Sequence, residues 1–421
     1  MLKYSQIYQR VEAEAKHEKE FDRVSVTETT KLWSTISFDT FMWERAPDRF
    51  LSLLDWALHR SGNHPLTMVM AGSLDDPCGE DALELVSQHA PRWWDVFFWS
   101  NFELAKPLVA AEGALGQLER LHLEGHWEGP EIFRVAPRLK EITLHADLTR
   151  LLELPWVQIQ KYRYVGDSHT SVALLGKLSY PATCSFNINF TKMLSSIAWP
   201  SLSSQVRSLA LHVVVSHTGN ITTISDLIRR LIESLMLPRL ESFTLGHYSN
   251  VATIIFPVDN FLALVQRSSF YTHLQHLDIS ARLTESDFLR CLSALPILEN
   301  LSIRDVRQPV LPLVTDSLLQ ALTRKPDVPP LVPRLFSLHL TSLLRFTDNV
   351  FRDFIASCID SDLGGPFEIV LYTLPTPEGR NELGTDMMGA LTKWILQGDV
   401  DLALLHNGVL DTSIPLPPVK K

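Results

Sequence analysis

The sequence predicts an α/β fold, a leucine-rich-repeat-like solenoid with a parallel sheet on its concave side and helices on its convex side. Three observations predict it. An apolar triad spaced L-x-x-L-x-L recurs thirteen times, amphipathic helical stretches stand between the triads, and prolines (Pro137, Pro238, Pro296, Pro333) sit just ahead of several of them. Strand, helix, proline, strand, in repetition, means parallel strands joined by right-handed crossovers. The alternative, a doubly wound Rossmann-type sheet, needs a glycine-rich strand-to-helix turn that the sequence lacks.

The clearest triads are Leu118/Leu121/Leu123, Leu139/Ile142/Leu144, Leu240/Phe243/Leu245, Leu274/Leu277/Ile279, Leu298/Leu301/Ile303 and Leu335/Leu338/Leu340. Looser copies are Trp33/Ile36/Phe38, Leu66/Val69/Ala71, Trp93/Val96/Phe98, Ile159/Tyr162/Tyr164, Thr183/Phe186/Ile188, Val206/Leu209/Leu211 and Phe367/Val370/Tyr372. Successive triads begin 20 to 37 residues apart, so the array is irregular. The last two members of each triad are two residues apart and share one face of a strand. The polar residue between them (His122, Thr143, Thr244, Asp278, Ser302, His339) faces the other way.

Helical stripes fill the intervals. Phe50, Leu53, Leu54, Ala57 and Leu58 form one, and Ile224, Leu227, Ile228, Leu231 and Leu235 another. Thr284 with Asp287 predicts a capped helix start, Thr315 a second, and Asp259 a third. In the aromatic run Trp93-Trp-Asp-Val-Phe-Phe-Trp99, Trp93 and Phe98 are expected in the core, with Trp94, Phe97 and Trp99 on the opposite side. Four segments result: 1–31, an N-terminal helical segment; 32–378, the solenoid; 379–412, a C-terminal helical cap using Met387, Leu391, Trp394, Ile395 and Leu402; and 413–421, a tail.

Composition excludes several function classes. Hydrophobic residues make up 45% of the 421-residue chain and charged residues 20%, which excludes intrinsic disorder. The net charge of −10 argues against a nucleic-acid or anionic-lipid partner. Four scattered cysteines without a CxxC pair read as reduced thiols of an intracellular protein, and with no apolar leader-like run at Met1–Arg10 and no long apolar run elsewhere the protein is expected in cytoplasm or nucleus. No catalytic or phosphate-binding motif is present, so no enzyme activity, metal or cofactor is expected. His122 and His126 stand four apart but on either side of a glycine, which is chance spacing and not a metal site.

What remains is a binding surface. Strand parity puts His122, His145, Asn187, Asn189, His212, His276, Asp278, Arg304 and His339 on the concave face, a candidate recognition surface for a partner protein. Histidines there are expected to gain charge below about pH 6.5 and to favour an acidic partner. The plainer alternative is that histidine is a tolerated polar residue at a solvated strand position.

Lys31-Leu-Trp-Ser-Thr-Ile-Ser, then Asp55-Trp-Ala-Leu-His-Arg-Ser-Gly-Asn-His-Pro-Leu, then His89-Ala-Pro-Arg-Trp, together resemble mushroom-type fungal F-box proteins, in which "LWS-x-I", "W-L-x-R-S-x-x-x-P-L" and "H-x-x-R-W" precede degenerate leucine-rich repeats. The likeness covers roughly residues 31–95, and Ala136-Pro-Arg-Leu continues it. It implies the substrate-receptor part of an F-box protein, feeding a Skp-cullin ubiquitin ligase. The family's opening Leu-Pro-x-Glu helix and tryptophan-bearing third helix have no counterpart before Leu32. The segment 1–31 is therefore read as an F-box remnant, with a Skp-type adaptor as partner only if an F-box is present. A stand-alone interaction scaffold without the ubiquitin link is the alternative.

Overall fold

The structure is a computed structural model describing residues 30–43, 46–72, 77–99, 102–103, 106–125, 127–128, 131–145, 153–167, 173–178, 181–189, 201–214, 221–247, 254–304, 313–359, 365–374, 382–406 and 409–410. The segment 1–29, His126 and the tail from 411 lie outside them. The chain is α/β, and its contacts divide it into two compact units, Met1–Gly166 with Lys177–Tyr180, and Asp167–Gly176 with Pro181–Lys421. Residues 32–378 fall across both units. Among the described residues no helix is long and apolar enough to cross a membrane.

In the first unit six parallel strands lie side by side in chain order: β1 (Thr35–Asp39), β2 (Leu66–Ala71), β3 (Trp93–Trp99), β4 (Arg120–Glu124), β5 (Glu141–His145) and β6 (Lys161–Asp167). When each strand is laid beside the one before it, right-handed crossovers all return on the same face of the sheet. A doubly wound fold needs the order to reverse, and these strands do not reverse it. The first two crossovers are helices, α1 (Pro47–Arg60) and α2 (Pro77–Ser87). Among the described residues the next three hold 3-10 turns, at Lys106–Ala111, Ile132–Arg134 and Trp156–Gln158, and the first two of them also hold the short paired strands Phe102–Glu103 and Trp127–Glu128.

Local chemistry fixes the helix ends. Pro47 opens α1, Asp48 stands in its first turn and His59 and Arg60 in its last, as the helix dipole favours. The last carbonyls of α1 are closed from the next repeat. The Arg92 guanidinium donates to the carbonyls of His64 (3.1 Å) and Leu58 (3.4 Å) and to the hydroxyl of the buried Ser61. Arg267 does the same in the second unit, donating to the carbonyls of Leu235 (2.7 Å) and Ile232.

Trp93 and Phe98 both have zero exposure, although five positions apart they would point opposite ways in a regular strand. A β-bulge resolves this. Leu66 pairs with Trp93 but Thr67 with Asp95, so Trp94 is the extra residue and parity flips within the strand. On β2 the expected inward pair Val69/Ala71 is corrected by one residue: Met68 and Met70 are buried, while Val69 and Ala71 face the open side.

In the second unit eight parallel strands again follow chain order: β7 (Thr183–Asn189), β8 (Ser208–Val214), β9 (Ser242–His247), β10 (His276–Ile279), β11 (Asn300–Arg304), β12 (Ser337–Ser342), β13 (Phe367–Thr373) and β14 (Val400–His406). A short β15 (Val409–Leu410) pairs antiparallel with β14. From β8 onward the helices α3 (Ile221–Ser234), α4 (Val258–Ser268), α5 (Glu285–Ser293), α6 (Asp316–Leu322), α7 (Asp348–Ile359) and α8 (Thr385–Gln397) connect successive strands. Three expectations are corrected here. The inward pair on β13 is Ile369 and Leu371, not Val370 and Tyr372. The cap expected to be helical over 379–412 contains α8, but Gly398 turns the chain with φ 78° and residues 400–406 return to the sheet, taking Leu402 with them. Asp259 does not cap α4, which starts at Val258; it stands in the first turn and pairs with Arg290 (2.8 Å).

Thr284 and Thr315 do cap, accepting from the backbone N–H of Asp287 (3.2 Å) and Leu318 (3.3 Å). Beyond these caps the helix starts are tied in series. Thr315 donates its hydroxyl to Glu285 (2.5 Å), the Thr347 N–H donates to Asp316 Oδ1 (2.6 Å), and the Gly384 N–H donates to Asp348 Oδ2 (3.0 Å). Each acceptor is the first residue of a helix and each donor stands at the start of the next. Asp316→Ala is expected to lower stability by about 1–2 kcal/mol, with Asp316→Asn losing less because it keeps an acceptor. Urea unfolding of the two variants checks the order.

All four cysteines are buried and none forms a disulfide. Burial pushes the Cys184 thiol up, and those of Cys291 and Cys358 up to about 12 and about 11. They act as small apolar side chains.

Candidate functional site

Alternation builds the site. On β4 the leucines Leu121 and Leu123 are buried, and Arg120, His122 and Glu124 stand on the face away from the crossovers. Because neighbouring strands pair in register, these open positions line up in rows across the sheet. In the first unit one row is Thr67, Asp95, Arg120, Glu141 and Lys161. Asp95 and Arg120 pair at 2.8 Å, and Lys161 donates to Glu141 at 3.0 Å. The next row is Val69, Phe97, His122, Thr143 and Arg163; beyond it come Ala71, Trp99, Glu124 and His145.

His122 and His145, both expected on this face, meet at Glu124. His145 Nδ1 lies 2.7 Å from one carboxylate oxygen and His122 Nε2 3.9 Å from the other. The His122 ring packs on Phe97 with centroids 4.0 Å apart, and the Arg120 guanidinium lies 4.3 Å over the Trp94 ring. A shallow cavity of about 260 Å³ opens among Val69, Asp95, Phe97, Arg120, His122 and Thr143. Burial holds the Asp95 carboxyl above its ordinary range; Arg120 pulls it back and Glu141 adds to the rise.

Burial also lowers the His122 pKa to about 4, helped by His145 and Arg163, so this histidine does not gain charge near pH 6.5 as the sequence suggested. The sign follows. An unfolded histidine protonates near 6.5 while this one stays neutral, so its contribution to stability is complete above about 6.5 and is lost as pH falls toward 4. With the side chain 32% exposed, the loss is about 1–2 kcal/mol after solvent screening. An NMR titration should place the ring's midpoint near 4, and His122→Asn should flatten the acid limb of the stability curve. A midpoint near 6.5 would contradict this burial.

The second unit presents the other expected residues on its open face. Asn187 and His212 are register partners on β7 and β8; the side chain of Asn189 lies outside the described residues, while its backbone pairs with Val214. His276 and Asp278 stand two apart on β10. Asp278, Ser302 and His339 form one row, and Arg304 pairs with Thr341 in another. His339 Nε2 lies 3.7 Å from Glu368, which also accepts from the Ser337 hydroxyl at 2.6 Å. His212 and Asp278 are two strands apart and one row out of line, with the bare backbone of Gly246 on the strand between. The nine residues thus divide between the two units, and within the second they lie in rows and do not converge on a point.

Residues the sequence reading left out complete these surfaces. Glu124 shares the phase of His122 and could have been found by extending the alternation two residues. Glu368 and Val69 were hidden by the one-residue slips on β13 and β2. Comparison of the sequence with protein-family models and with curated proteins finds no match.

Proposed function

We propose that the protein is a non-catalytic recognition module, a leucine-rich-repeat-like solenoid that binds a partner protein along the concave, open face of its sheet. The observation that carries this reading is the in-register row structure of that face. Polar and aromatic side chains sit at fixed intervals on parallel strands whose other face is packed with leucine, isoleucine and phenylalanine. A surface already ordered loses little conformational entropy when a partner docks.

The F-box resemblance of residues 31–95 makes the partner a substrate for a Skp-cullin ubiquitin ligase, with the compartment cytoplasm or nucleus. The testing experiment is co-purification of the full chain with a Skp-type adaptor. Stoichiometric retention is expected of a receptor. Loss of the adaptor while a partner is still held on the open face would leave the stand-alone scaffold as the function.

A further inference from the structure

Resting on the reading of the open face as a recognition surface, we infer that its middle row in the first unit is a channel for an extended segment of a partner protein, which places an apolar side chain over Val69 and Phe97 and a carboxylate at Arg163. The row runs Val69, Phe97, His122, Thr143, Arg163 from β2 to β6, each paired in register with the next. The rows on either side are closed on themselves. Asp95 holds Arg120 and Glu141 holds Lys161 on one side, and Glu124 holds His145 on the other. The two ion pairs on the first side offer little charge to a ligand, and the contact of His145 with Glu124 bounds the row on the other.

The floor between them carries no charge from Val69 to Thr143, because burial keeps His122 neutral above about pH 5. The cavity of about 260 Å³ opens over this stretch, and Trp99, 54% exposed on the same strand as Phe97, extends the apolar end. At the other end Arg163 is exposed and, among the described residues, has no ion-pair partner. A surface apolar at one end, with an uncompensated cation at the other, is complementary to an apolar residue and an acidic residue on one strand of chain. A basic segment would be repelled at Arg163. Adjacent strands are about 4.8 Å apart, so the three steps from β3 to β6 span about 14 Å. An extended peptide covers that in about four residues.

The test is selection from a random-peptide display library on the full chain, run in parallel on Arg163→Glu, Phe97→Ala and, as a control on the second unit, Asp278→Lys, each checked for folding by circular dichroism. The expected result is enrichment of peptides with an aromatic or aliphatic residue about four positions from Asp or Glu. Arg163→Glu should exchange the acid for Lys or Arg, Phe97→Ala should weaken a selected peptide by about tenfold or more, and Asp278→Lys should leave it unchanged. Selected peptides indifferent to Arg163→Glu and Phe97→Ala but lost in Asp278→Lys would overturn the channel while keeping the recognition reading, now on the second unit. No enrichment above background on any of the four proteins would overturn both.

Discussion

Phe261→Ala is expected to destabilise the protein by about 3–5 kcal/mol, among the largest effects of any single truncation in the second unit. Phe261 has zero exposure on α4 and is the hub of four phenylalanines. Its ring centroid lies 5.4 Å from that of Phe243 on β9, 5.3 Å from Phe256 before the helix and 6.3 Å from Phe270 after it. These contacts join helix, strand and both flanking turns, so the cavity left by alanine cannot be closed by moving one element alone. Phe261→Leu retains most of the volume and should cost less than half as much. Guanidinium unfolding gives both numbers. A loss below about 1 kcal/mol for the alanine variant would mean that the helix does not pack on the sheet as described.

Trp93→Ala should cost the first unit a similar amount, about 3–5 kcal/mol, for two separable reasons. The buried indole packs edge-on against Phe98, with centroids 5.7 Å apart, and its Nε1–H donates to the Val86 carbonyl at 3.2 Å, closing the end of α2. Trp93→Phe keeps much of the packing and orphans the carbonyl, which isolates a loss of about 1–3 kcal/mol. Both variants also report on the bulge. If β3 were a regular strand, Trp93 would face outward with Phe97, and its truncation would be nearly neutral.

The strands were legible because each needs two apolar residues of one parity and a third to turn the corner into it. The last two members of all thirteen triads fall on strands. Parity failed only where it could not be read. Leu66-Thr-Met-Val-Met-Ala71 and Phe367-Glu-Ile-Val-Leu-Tyr-Thr373 carry apolar side chains on both faces, so a shift of one residue looks equally good. The strand at Val400–His406 was missed because Asp399 stands where the leading apolar residue of the triad belongs.

The candidate surface was legible as a list but not as a geometry. Phase alone put His122, His276 and His339 on the open side, whereas register decides which of them meet. Only register brings Glu124 between His122 and His145, and only burial makes His122 the neutral floor of a row instead of a charged site. Neither quantity is local in sequence.

The most direct test of the account is an alanine scan of one strand, Asn300–Arg304, read by equilibrium unfolding. In this strand Leu301 and Ile303 are buried while Asn300, Ser302 and Arg304 face the open side. Alternation is predicted: losses of about 2–5 kcal/mol at Leu301 and Ile303, and changes within about 1 kcal/mol at the other three. Comparable losses at all five positions, or the larger ones at Asn300, Ser302 and Arg304, would show that the strand has no face to spare for a partner.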